Sequence, residues 1–157
     1  MSFFKSLLKG AATLAGEAVS GAQRSAYEQN RSRTIQGKTV DQWDYEWRSI
    51  GTLAQIELTP YNTSVGLYRA RLHGKVVYIG RAVEWNNGGF RKRLSDYRRD
   101  SDSARTHGSG QKMHAHRDQL SIELLITGSD ERAAEIAKAL EPLMVGKYRP
   151  EWNKQFM

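Results

Sequence analysis

Cysteine is absent from this 157-residue chain. That removes disulfide frameworks, thiolate nucleophiles and Cys-based zinc sites, and suits a reducing, cytoplasmic compartment. No run of 18 or more apolar residues occurs, so no segment reads as a membrane-spanning helix. Acidic residues are also in deficit: 17 Asp and Glu stand against 24 Lys and Arg, a formal charge of +7. The partners such a balance favours are anionic: nucleic acid, anionic lipid or an acidic protein. The length suits one domain, with or without an accessory arm.

The excess charge is concentrated. Between Gly66 and Arg117 there are 12 Lys or Arg and 4 Asp or Glu, a net of +8, while the remainder carries −1. A solvated basic face is the ordinary reading of a charge run. Confinement of the whole excess to one third of the chain favours an anion-binding surface instead.

Residues 3–30 carry Phe4, Leu7, Leu8, Ala11, Leu14, Ala15, Ala18 and Val19 at helical spacing, the pattern of a docking arm for the domain itself, a protein partner or a second copy. Phe3 adds to the same apolar row. A signal peptide is disfavoured because Lys9 interrupts the apolar stretch and no clean cleavage site follows. Arg31 to Lys38 is polar and reads as a linker, which divides the chain into an arm at 1–36 and a domain at 37–157. Thr39-Val40-Asp41-Gln42 fits a capping box opening a short helix with Trp43 and Trp47 as core anchors. From Ile50 to Ser64 the pattern assigns no element. Strands are expected at Val65–Leu72, Lys75–Gly80 and Ser121–Ile126, and helices at Arg91–Arg99, Met113–Gln119 and Glu131–Tyr148. Pro142 is expected to kink or restart the last of these. This order predicts an α+β fold with a small three-stranded antiparallel sheet flanked by helices.

The strand pair invites a closer reading. A three-residue loop, Leu72-His73-Gly74, would oppose Tyr68 to Tyr78 on one face, whereas a two-residue loop would put them on opposite faces. Tyrosines in strands are usually packing residues.

Gly66-Leu67-Tyr68 followed by Tyr78-Ile79-Gly80 resembles the signature of the GIY-YIG nucleases. Further matches extend the resemblance: Arg81-Ala82 after the second tripeptide, Arg93 with Tyr97 four residues on, Leu140-Glu141, and Tyr148-Arg149-Pro150-Glu151-Trp152-Asn153. The closing stretch is similar to that of the bacterial excision-repair incision domain. The matched core spans residues 65–153. Two departures stand out: Leu67 replaces the usual Ile or Val, and Val83 to Phe90 forms a longer loop, as in restriction enzymes of this family.

The resemblance implies a phosphodiester-hydrolysing endonuclease, acting on DNA in preference, in the setting of an antibacterial toxin delivered into a target cell, phage defence or a mobile element. The alternative is a catalytically silent nucleic-acid-binding module. It implies Glu141 as ligand of a single Mg²⁺ or Mn²⁺, a hard cation that takes oxygen donors. Arg93 would clamp phosphate through its planar fork. Tyr68 would be a general base or water-orienting phenol, helped by the metal, Arg93 or a neighbouring phenol, because an unperturbed tyrosine titrates near ~10. Tyr78 and Tyr97 would complete the network, and Asn153 would hold a loop or water. Arg81, Arg91, Lys92, Arg98, Arg99, Lys112 and His114 are the expected substrate contacts. His107, His114 and His116 make only a weak zinc pattern.

Overall fold

The computed structural model describes residues 22, 24–100 and 108–156. The apolar row of Phe3, Phe4, Leu7, Leu8 and Leu14, and His107, therefore lie outside the described residues. The fold is α+β. After helical residues 24–29 come β1 (Thr34–Ile35), β2 (Lys38–Thr39), α1 (Val40–Trp43), β3 (Arg48–Thr52), β4 (Val65–Leu72) and β5 (Lys75–Ala82). Then follow α2 (Gly89–Arg98), α3 (Gly108–Ala115), β6 (Leu120–Gly128) and α4 (Glu131–Tyr148), with 3-10 turns at Thr59–Tyr61 and Glu151–Phe156. Among these residues no helix is long and apolar enough to cross a membrane.

The three expected strands are joined by a fourth. The main sheet runs β3-β6-β4-β5 with every neighbouring pair antiparallel. β3 escapes the sequence pattern because Arg-Ser-Ile-Gly-Thr has one large apolar residue, and a register shift between Ser49 and Gly51 breaks its alternation.

The sheet separates two cores. On the front, Tyr68, Phe90, Leu94, Met113, Ile122 and Leu124 pack beneath α2 and α3; on the back, Leu67, Ile79, Leu125, Leu140 and Met144 pack beneath α4. α4 starts at Asp130, whose carboxylate accepts from the Ala133 N–H at 2.9 Å. It then runs through Pro142 as one helix, so Pro142 does not restart it. Pro142 lies on the exposed face, and so does Lys138, whose carbonyl loses its helical donor; water can satisfy that carbonyl.

The polar stretch expected to be a linker is instead the β1–β2 hairpin. It turns at Gln36-Gly37, both with positive φ, and Gln36 accepts from Arg132 of α4 at 3.1 Å. The expected arm boundary at residue 36 falls inside that turn. The capping box is present in both halves: Gln42 N–H to Thr39 Oγ1 at 3.2 Å, and Thr39 N–H to Gln42 Oε1 at 2.8 Å. The helix it opens ends at Trp43, so Trp47 lies beyond it, stacked on the Arg69 guanidinium at 4.3 Å. Tyr27 is buried and donates to Asp41 at 2.7 Å. Asp41 also accepts from Lys147 at 2.8 Å, which fastens the 24–47 region to the back of α4.

Lys147, Tyr27 and Arg31 together hold the Asp41 carboxyl down to about 2. A carboxyl depressed on folding stabilises fully above its unfolded value of ~3.9 and loses that contribution as pH falls through the folded value. Asp41→Asn should therefore melt at a lower temperature than the parent near pH 6. That gap should close as both are titrated towards pH ~2. A gap that stays constant across the titration would show that the carboxylate's charge is not what fastens the segment.

Candidate active site

The β4–β5 hairpin sets up the site. Its loop has two residues, His73-Gly74, both with positive φ, and not the expected three. Arg71 pairs with Val76, but Ala70 pairs with Tyr78, so Val77 is the extra residue of a bulge. Consecutive Val77 and Tyr78 both enter the front core. The bulge thus restores what the short loop would have undone. Tyr68 pairs directly with Gly80, and its ring lies diagonally beside that of Tyr78 on the same face, centroids 6.2 Å apart.

The two outer glycines of the paired tripeptides have steric reasons. A Cβ on Gly80 would lie 2.5 Å from Cζ and Oη of Tyr68, so the phenol occupies the space a side chain would need. Gly66, at φ 149°, sits at a register shift against β6, where a Cβ would meet the Leu125 carbonyl at 2.1 Å. Gly80→Ala should displace Tyr68 and cost about 1–3 kcal/mol, the usual range for overpacking. Chemical denaturation checks this; unchanged stability would mean that the phenol moves aside freely.

α2 supplies the next pair. Arg93 and Tyr97 are one turn apart and point inward with Phe90 and Leu94, so both reach the Tyr68 cluster. The Tyr68 and Tyr97 hydroxyls are 2.8 Å apart, with the rings edge-to-face at 62°. The Tyr78 phenol is hydrogen-bonded to Tyr97 and to Ser109 of α3, which is itself buried. Ser109 escaped the sequence reading, since a serine in a Ser/Gly-rich stretch carries no signal of its own. The Nε of Arg93 is buried and lacks a hydrogen-bond partner among the described residues.

Glu141 comes from the back face and reaches the rim of this cluster beside the edge strand β5. Its carboxylate accepts from Arg81 at 3.1 Å, and Arg93 is close enough to act on its charge. Burial pushes the Glu141 carboxyl above its usual range, only partly offset by those two guanidiniums. Asn153 holds the edge itself: its Oδ1 accepts from the Ile79 N–H at 3.0 Å, and its Nδ2 donates to the Ile79 carbonyl at 2.8 Å. One side-chain amide thereby stands in for a neighbouring strand.

Burial raises all three phenols, and the neighbouring phenol charges add to the rise for Tyr68 and Tyr78. The expectation that a neighbouring phenol would help Tyr68 ionise is reversed; only cationic groups can do so here. At neutral pH the cluster is protonated and can orient a water or a phosphate oxygen.

The remaining expected contacts do not converge on this cluster. Arg91, Lys92 and Arg98 project from the opposite face of α2, with Arg99 just beyond it. Lys92 pairs with Glu84 at 3.0 Å, Arg99 with Asp96 at 2.5 Å, and Arg98 donates to the Ile56 carbonyl at 2.6 Å. His114 is engaged by the Tyr97 carbonyl at 2.9 Å and by Arg117 at 3.4 Å, while Lys112 offers its carbonyl to His116. Among the described residues no group of three or more His, Asp or Glu could form a metal cluster.

The chain is similar to the GIY-YIG N-terminal endonuclease domain of UvrC from Thermotoga maritima. That crystal structure, bound to its catalytic divalent cation magnesium, superposes with a TM-score of 0.43 at 23% identity, over 61% of this chain and 90% of the UvrC domain. A point mutant of the same UvrC domain, also with its divalent cation, gives 0.42 at 20% identity, over 60% and 88%. No family model and no curated protein matches the chain.

Proposed function

We propose that the chain is a divalent-metal-dependent endonuclease of the GIY-YIG type, hydrolysing phosphodiester bonds in nucleic acid, with DNA as the preferred substrate. The observation that carries this reading is the convergence, from four separate elements, of Tyr68, Tyr78, Arg93, Tyr97 and Glu141 beside one strand edge. Arg93 is half-buried, its Nε has no hydrogen-bond partner among the described residues, and it lies next to a carboxylate that its neighbours only partly compensate. A phosphate would satisfy the first, and a cation the second.

Glu141 fits a magnesium or manganese ion as a single carboxylate ligand, the rest of the shell being water or substrate oxygen. Such an ion, when bound, neutralises phosphate charge and makes water more acidic. The chain's own residues supply the rest. Arg93 binds the non-bridging oxygens through its fork, and Arg81 exchanges its hold on Glu141 for the substrate. Tyr68, held against Tyr97, orients the attacking water. Asn153 fixes β5 so that Tyr78 and Arg81 keep their places.

The same chemistry serves a cytoplasmic defence or mobile-element nuclease as well as an antibacterial toxin. The test is plasmid nicking by the purified chain with Mg²⁺ or Mn²⁺ and with EDTA. Nicking that requires the cation supports the proposal. Binding without nicking under all conditions would leave a silent binding module and overturn it.

A further inference from the structure

Arg91, Lys92 and Arg99 line a cavity of about 570 Å³ together with Asn62, Asn86, Asn87 and Ser95. Among the described residues no carboxylate lines it. A second cavity, of about 350 Å³, shares Arg91 and Ser95 and continues past Arg98 along the backbone of Gln55 to Thr59. Among the described residues that line this second cavity Glu57 is the one acid, and it accepts from the Thr59 N–H at 3.0 Å. The two cavities form one polar trough along the outer face of α2.

We infer that this trough is a second nucleic-acid surface, which seats the sugar-phosphate backbone on the far side of α2 from the tyrosine cluster. The inference rests on the proposed nuclease reading and extends it: α2 then stands between the reacting phosphate and flanking phosphates. From Gly88 to Arg99 a helix rises ~16 Å, long enough to run beside more than one consecutive phosphate of a strand. Arginine and lysine give the charge. The asparagine amides and Ser95 add neutral donors, which suit phosphate and sugar oxygens. The extended loop from Val83 to Phe90 contributes Asn86 and Asn87 to the trough. Its added length therefore has a place to act, beside the substrate and away from the chemistry. Glu84 and Asp96 hold Lys92 and Arg99 across this surface and are the carboxylates a phosphate backbone would displace.

The test is fluorescence anisotropy with labelled single- and double-stranded DNA in EDTA, so that no cleavage intervenes, over a range of salt. Replacing Arg91 with Ala should flatten the logarithmic salt slope by ~0.7 to 0.9, the share of one phosphate. Ser95→Glu, which sets a carboxylate in the middle of the trough, should weaken binding at least tenfold. Thermal melting of both variants at the parent temperature would show that the fold is kept. Parent-like affinity and slope in both variants would overturn the trough, whether or not the protein cuts. Polyglutamate of matched charge competing as well as unlabelled DNA would also overturn it, in favour of an acidic protein. If the variants lose binding as expected while the parent fails to nick, the trough stands and the nuclease reading falls.

Discussion

Replacing Glu141 with Gln should abolish cleavage while nucleic-acid binding in EDTA survives. Glutamine keeps an acceptor for Arg81, so helix α4 and its packing are undisturbed, but the formal charge that would hold a divalent ion is gone. Loss of a Lewis-acid contribution of several kcal/mol corresponds to about 10³ or more in rate. Glu141→Ala should behave likewise, since it too removes the charge without adding a negative one to the surface. The measurement is the initial nicking rate over a Mg²⁺ titration. Cleavage within a few-fold of the parent at saturating Mg²⁺ would remove Glu141 from the metal role.

Arg93→Ala should lower turnover by ~10² to 10³, the scale of losing one preorganised transition-state donor. The orphaned Nε gives the physical reason: the scaffold has already taken this donor out of water and, among the described residues, left it unspent. Arg93→Lys is the sharper variant. It keeps the charge but loses the planar fork, so binding should return with no comparable return in turnover. Single-turnover kinetics at saturating substrate separate the two. If Arg93→Ala weakens binding alone, the side chain is only an anchor.

Much of this site could be read from the sequence because its residues sit in short, rigid patterns. Arg93 and Tyr97 are one helical turn apart, and each paired tripeptide puts a glycine where a phenol or a carbonyl needs the space. The hairpin was legible only in its outcome. The sequence favours a three-residue loop to put Tyr68 and Tyr78 on one face, whereas the chain uses two residues and a bulge at Val77. Nothing in Lys-Val-Val-Tyr marks which valine will be extra. β3 and the β1–β2 hairpin were illegible for a related reason. Their residues are short, polar and half exposed, and their pairing is decided by β6 and α4, which lie far away in sequence. The sidedness of α2 was within reach: Arg91, Ser95 and Arg98 fall on one helical face and Arg93 and Tyr97 on the other. A run of five basic residues in nine hides that division unless the helical wheel is drawn.

The amide of Asn153 on Ile79 has a bearing on how molecules of this protein can associate. A strand edge with open N–H and C=O groups is a template on which a second chain can polymerise. On β5 that template is interrupted at Ile79, in mid-strand, by a side chain that has already taken both groups. The opposite edge belongs to β3, three strand spacings or ~14 Å away. Strand addition at the β5 edge beside Glu141 is thereby blocked, so self-association of that kind would leave the Glu141 rim open to a polymer as large as DNA.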